Sequence, residues 1–357
     1  MPAEDIVQLW DTWELIDLLR DDRVMPPDEF WLSMFPTTFF SEKKQIIFGE
    51  LPIWDRRMAP FVMPHIQGRV MREPAGPGLR SFEPAYLKPK HTVEPSMTLN
   101  RMPGEPLGGM LSRQERFNRI TAQRLQSQAA MIKRRLEWMA AQAAIYGYVD
   151  VAGEDYFPVR VNFNRNAALS SVLAGTAQWD QADADPLNDI ALMREQAFTY
   201  GKSPINRIIM GMNAWKLFRA FDEVKELMNI QYRLPGNAMF NISPLMMTGQ
   251  PVQQVGTYQL PDGGAVEFYV YSNSMVDPVD GMEKQLLSTN DVVGIGGAMN
   301  GIKAFGAIED FDAGLQATDM FPKQWRVDDP SAAYVMTQSA PLVVPANPDN
   351  TFRLTVT

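Results

Sequence analysis

Ser81 to Glu105 reads SFEPAYLKPKHTVEPSMTLNRMPGE, and Pro84, Pro89, Pro95 and Pro103 punctuate it. Each proline lacks an amide donor and fixes its own φ. Each also pushes the preceding residue toward extended geometry. The stretch is predicted to be a long extended strand or arm, with helix forbidden through it. Its physics specifies a reaching element and leaves open what it reaches.

Downstream, residues 111–148 form the longest helical pattern of the chain, free of proline and with glycine only at Gly147. Phe117, Ile120, Leu125, Ile132, Leu136, Met139 and Ala143 mark one face. Unbroken, it would run roughly 50 Å at 1.5 Å per residue. Its basic residues, from Arg113 to Arg135, make either a solvated face or a face for a neighbour's acids. Upstream, residues 61–90 read as a long hairpin turning at Ala75-Gly76-Pro77-Gly78. Prolines in both limbs suit it poorly to the middle of a sheet, so it is predicted to project. Residues 29–63 carry Phe30, Trp31, Phe35, Phe39, Phe40, Phe48 and Trp54 on short proline-broken pieces. That aromatic surface needs burial against other parts of the chain or other chains. Residues 5–20 read as an amphipathic helix with Ile6, Leu9, Trp10, Trp13, Ile16 and Leu19 on one side. It docks on its own domain or packs on a neighbouring subunit.

Beyond the long helix, residues 156–165 alternate as a strand, and 168–178 read as a loop. Helices are expected at 187–200 and at 213–228, the second N-capped by Asn213. Strands are expected at 205–211, 265–272 and 290–297, so 187–297 is an α/β unit. After Gly301 the chain returns to extended patterns, predicted to close the sheet begun around 156–165.

Composition narrows the function. The chain has 357 residues, 45% apolar and 21% charged, with a net charge of −9. It is too apolar for disorder, and the acidic balance argues against a protein built to grip nucleic acid. The absence of cysteine removes disulfides, thiolate nucleophiles and cysteine zinc sites together. No uninterrupted apolar run approaches the ~18 residues of a membrane span, and MPAEDIVQLW lacks signal-peptide features. The two histidines, His65 and His91, both fall in the projecting region, a poor place for catalysis. Asp180, Asp183, Asp185 and Asp189 lack the glycine and closing glutamate of a calcium loop and read as turn and helix-start acids. Gly294-Ile295-Gly296-Gly297 follows a strand, but Met299 breaks the dinucleotide pattern. No catalytic, cofactor or metal set emerges.

Together these elements resemble the tailed-phage major capsid proteins of the Hong Kong 97-type fold, and among them the lambda-type capsid protein E family. The resemblance is carried by FEPAYLKPKHTVEPSMTLNRMPGE at 82–105, GEDYFPVRVNFNR at 153–165, WDQADADPLNDI at 179–190, NAWKLFRAF at 213–221, FPKQW at 321–325 and MTQSAPLVVPANPD at 336–349. It runs from about Trp31 to the C-terminus. It implies an α+β chain with an N-terminal arm (1–60), an extended loop (61–100), a peripheral domain (101–178 and 306–357) around a spine helix, and an axial domain (179–305). It further implies self-assembly into hexamers and pentamers enclosing double-stranded DNA, touched only non-specifically. The implied partners are a separate scaffolding protein, a portal and a decoration protein, with no cofactor, no enzymatic activity and no membrane. Assembly would take place in the host cytoplasm and end in the virion. Trp10, Trp13, Phe39, Phe40, Arg69, Arg72, Arg80, Lys88, Lys90 and His91 are the intersubunit contacts this reading predicts. Two alternatives remain at this point: a nanocompartment shell of the same fold, and a ligand-binding α/β protein.

Overall fold

Asp11 opens the first helix, α1 (Thr12–Arg20), because a reciprocal cap forms there. The Asp11 carboxylate accepts from the Thr12 amide at 2.7 Å, and Glu14 accepts from the Asp11 amide at 2.9 Å. The predicted helix is thus shortened, since such a cap satisfies the orphan amides of a helix start. Its buried residues are Leu15 and Leu19; Leu19 belongs to the predicted face and Leu15 does not, and Trp13, on the predicted face, is left 73% exposed.

The structure is a computed structural model describing residues 7–21, 26, 29–43, 45–47, 81–100, 111–153, 156–181, 183–225, 240–241, 245–246, 252–259, 265–277, 281–329 and 331–357. The predicted turn at 75–78 and most of the predicted hairpin lie outside these residues. Only its return limb, from Ser81 onward, lies inside them. Ile46–Ile47 pairs antiparallel with Ser81–Phe82, so the chain leaves and re-enters the described fold at adjacent points.

The quoted stretch is extended only in part. Lys90–Val93 is a strand, but Pro95 opens a short helix, α2 (Pro95–Leu99). Proline is tolerated at the first helical position because that amide needs no partner, which corrects the expectation that Pro95 forbids helix here. The long helix α3 (Arg113–Tyr146) spans 34 residues. Ser112 and Glu115 cap its start reciprocally, and Gly147 ends it in the left-handed region at φ +72°. Its apolar face carries the larger core cluster, which also takes in Leu15, Phe30, Trp31 and Phe35. The first aromatics of the arm are therefore buried inside their own chain. Glu137, fully buried on α3, anchors them by accepting the Trp31 and Leu32 amides at 2.9 and 2.7 Å. Trp31 meets Tyr271 edge-on, ring centroids 5.4 Å apart.

Two three-stranded sheets pack beside α3. One orders Phe321–Val327, Ala332–Gln338 and Lys90–Val93; the other orders Thr37–Phe40, Gly301–Phe305 and Pro341–Pro345. The α/β unit is an eight-stranded mixed sheet. Ile205–Met210 lies between Ala265–Tyr271, parallel, and Asp291–Gly296, antiparallel. The C-terminal strand Thr351–Thr355 adds to Asp291–Gly296, and Ser170–Val172 adds to it in turn. The last strand therefore joins the α/β sheet and does not close the 156–165 sheet as expected. Ser170–Val172, expected as loop, forms a strand because that edge is there to pair with. Tyr148–Gly153 and Tyr156–Asn162 form a separate two-stranded ribbon.

Helix α4 (Pro186–Gly201) starts at Asp185, which accepts from the Asn188 amide at 3.0 Å. Asp189 takes the Trp179 indole N–H at 2.9 Å, and burial raises its pKa. The acidic cluster is thus a helix start, as its spacing suggested. The next helix is shorter than predicted. α5 (Met212–Phe218) is capped at Gly211, and a separate helical stretch follows at 222–225. Gly211 lies so close to the Ser288 and Thr289 carbonyls that a Cβ would meet them at 2.3 and 2.5 Å. Asn213 sits inside the helix, and its side chain bonds Asn290 at 2.7 Å, so it is not the cap.

Candidate intersubunit surfaces

A strand in a folded core buries alternate residues. Tyr156–Asn162 does not: Val161 alone among its residues is buried. Phe157 stands 89% exposed, with Tyr156 and Val159 exposed beside it. The ribbon is nevertheless held firmly at its root. Tyr146 stacks on Tyr148 at 5.5 Å, and the Arg160 guanidinium lies 4.0 Å over the Tyr148 ring. Arg160 grips Asp150 in two-pronged fashion at 2.6 and 2.8 Å, and this bond raises the guanidinium pKa. On the inner side Arg353 lies 4.8 Å over Tyr146 and holds the fully buried Asp291 at 2.9 and 3.3 Å. Arg165 donates to the Ala144 carbonyl and to the Thr351 and Ser170 hydroxyls at 3.2, 3.2 and 2.6 Å. Burial, with Arg353 adding to it, pushes the Arg165 pKa down to about 10. These contacts join the end of α3 to the α/β sheet and fix the ribbon's direction.

A second exposed feature is the loop after Gly301–Phe305. Phe311 is 93% exposed and Leu315 is exposed beside it at φ +57°. Asp310 braces the loop by accepting from the Asp312 amide at 3.0 Å, Lys323 at 3.1 Å and Gln338 at 2.8 Å. These bonds lower its pKa against the opposing effect of burial.

Of the predicted contacts, Arg69, Arg72 and Arg80 lie outside the described residues. Trp10 is half-buried, its indole bonding Asn118 at 2.7 Å and its amide bonding Gln324 at 3.0 Å. Trp13 is exposed. Phe39 packs on the core, and the half-exposed Phe40 stacks on Phe305 at 5.7 Å. The Lys88 ammonium lies 4.9 Å over Tyr86; that of Lys90 lies 4.4 Å over Tyr334. His91 Nδ1 lies 3.0 Å from Gln128 Nε2, whose amide also donates to the Val335 carbonyl at 2.8 Å. Because the amide nitrogen donates, Nδ1 accepts, which holds the ring neutral. Burial, then Arg124, lowers the His91 pKa.

Sequence reasoning passed over Phe157 and Phe311 as contact residues. The signal at Phe157 was Pro158 inside a strand next to two consecutive aromatics, a pattern that fits no half-buried strand. At Phe311 there was no comparable signal, because its exposure follows from the brace at Asp310, made by residues distant in the chain.

A firm fold that leaves rigid aromatics in water has surfaces built to be covered by a partner, and a solved structure gives the class, that of capsid subunits. A prophage capsid protein from E. coli CFT073 superposes with a TM-score of 0.75 at 25% identity, covering 98% of this chain and all of that one. The fold of this chain is the Hong Kong 97-type capsid fold. Residues 32–356 match the profile of the family described as phage major capsid protein E, and the chain belongs to that family. It is 32% identical to the major capsid protein of Escherichia phage lambda over 300 residues, covering 82% of this chain and 83% of that protein. With the major capsid protein of Escherichia phage N15 it shares 33% over the same coverage. The chain is a tailed-phage major capsid protein and its place is the virion capsid. No helix among the described residues is long and apolar enough to cross a membrane.

Proposed function

We propose that copies of this chain associate into hexamers and pentamers that close an icosahedral head around double-stranded DNA. The exposed Phe157 face of the braced ribbon carries this reading, since removing such apolar surface from water is worth ~25 cal/mol per Å² and a shell repeats each contact many times. In this reading residues 1–60 act as the arm and 61–100 as a loop lying on a neighbour, supported by the adjacent exit and return at Ile46–Ile47 and Ser81–Phe82. Residues 101–178 with 306–357 act as the peripheral domain, and 179–305 as the axial domain. The axial sheet borrows Thr351–Thr355 from the C-terminus. A separate scaffolding protein, a portal and a decoration protein are the partners, and the subunit performs no turnover.

Negative-stain microscopy of the expressed chain tests the proposal. Hollow particles of uniform size are expected. A wild-type protein that stays monomeric at high concentration, with scaffold supplied, would sink it. Phe157→Ser is expected to leave the subunit's melting unchanged and to reduce particle yield, because the side chain touches little within its own chain.

A further inference from the structure

We infer that the groove between α1 and the Asp310–Phe321 loop receives Phe311 from a second copy of this chain. The inference rests on the assembly reading above. The groove encloses about 520 Å³ and is lined by Trp13, Ile16 and Leu19 on one side and by Met320 and Phe321 on the other. That volume is within the ~300–1,000 Å³ range of clefts that enclose a whole ligand.

The knob is built as firmly as the groove. The aspartate brace fixes the base of the loop. Gly314 and Leu315 follow in succession at φ +62° and +57°. For leucine, that left-handed conformation is unfavourable, and it persists where surroundings over-determine it. The loop thus presents Phe311 outward at a cost in backbone conformation and in exposed apolar area. Burial by a partner offsets both.

A capsid is built from copies of one chain, which argues that the partner is this same chain. The exposed Arg20 lines the groove on the α1 side. Asp312, next to the knob, keeps its side chain 57% exposed while paired with Lys323. An entering Phe311 brings its neighbouring carboxylate toward Arg20 of the receiving copy, in a groove whose own acids are already engaged, Asp312 by Lys323 and Asp319 by the Met320 amide at 2.9 Å. Groove and knob share one loop, so each copy offers both halves of the contact, as a repeating shell requires.

The chain has no cysteine, which makes disulfide trapping clean. Chains carrying Phe311→Cys and chains carrying Ile16→Cys are co-expressed, the particles purified, oxidised and run on a non-reducing gel. A linked dimer that requires both variants is expected. Particles without that band would overturn the inference while leaving the assembly reading intact. Absence of particles from wild-type protein would overturn both. A second measurement needs no cysteine at the half-buried Ile16. Phe311→Ser should melt like wild type as a subunit, yet need about tenfold more protein to form particles, which is about 1.4 kcal/mol per contact. Particle formation at the wild-type concentration would overturn the inference.

Discussion

Replacing Gly294 by alanine should destabilise the α/β sheet through one ring. Gly294 sits directly opposite Phe352 in the antiparallel pair of Asp291–Gly296 with Thr351–Thr355. A Cβ there would stand 2.1, 2.5 and 2.6 Å from the ring carbons Cε1, Cζ and Cδ1. Ordinary contact begins at 3.4 Å, so the ring or the strand must yield by about 1.3 Å at the nearest atom. Phe352 is fully buried among Trp179, Ile208 and Phe268 and their neighbours, and close-packed interiors have little room to give. Overpacking of this kind costs ~1–3 kcal/mol. Removing glycine's chain entropy returns ~0.5–1 kcal/mol, leaving a net loss of about 0–2.5 kcal/mol. Phe352→Ala alone should cost ~3–5 kcal/mol through the cavity it leaves. In the double variant the added methyl enters the vacated space, so its cost should fall below the sum of the two by at least about 1 kcal/mol. Urea unfolding of the unassembled subunit, followed by tryptophan fluorescence, measures all three. Additivity within ~0.5 kcal/mol would refute the argument that glycine stands here to admit the ring.

Arg353→Met leaves Asp291 buried with the Thr355 hydroxyl at 2.7 Å but without its cation. A loss of ~3–5 kcal/mol is expected, and adding Asp291→Asn should recover part of it in the same unfolding assay. Because burial and Arg124 lower the folded pKa of His91, its neutral-state contacts contribute fully above the unfolded pKa of about 6.5. They are lost as pH falls through the lower folded value, since the unfolded chain takes up the proton first. Wild-type urea midpoints should therefore drop between pH 7 and 5 relative to His91→Asn, whose amide oxygen can still accept from Gln128; parallel profiles would remove His91 as the cause. Deleting Val70–Leu79 should leave a subunit that melts as wild type but stops at capsomers, and full-size shells from this variant would take away the role given to the loop.

Where the decisive interactions are local, the sequence alone determined the outcome. Ser112 with Glu115 and the terminal Gly147 delimit α3 by contacts within a turn, and Asp185 does the same for α4. The short apolar runs at Ile205–Met210, Ala265–Tyr271 and Asp291–Gly296 named three strands of the α/β sheet. The absence of cysteine and of any assembled catalytic motif turned the reading toward a structural protein. The family's motifs, spread over most of the chain, then made the fold and function legible before any coordinate was known.

Tertiary structure decided what depends on residues far apart in the chain. Pairing of Thr351–Thr355 with Asp291–Gly296 is a choice among edges, and no local propensity encodes it. Pro95 opens a helix where proline-by-proline reasoning forbade one, because its missing donor costs nothing at that position. Of the aromatics at 29–63 marked as needing burial, Phe30, Trp31 and Phe35 are buried within the chain, and only Glu137 and Tyr271, each more than 100 residues away, show where Trp31 packs. The exposure of Phe157 and Phe311 comes from braces at Arg160, Lys323 and Gln338. The quoted stretch shows both sides of this division. Its extended character at Lys90–Val93 was written in its prolines, whereas its docking on Ala332–Gln338, with His91 against Gln128, was fixed by burial and hydrogen bonding across the fold.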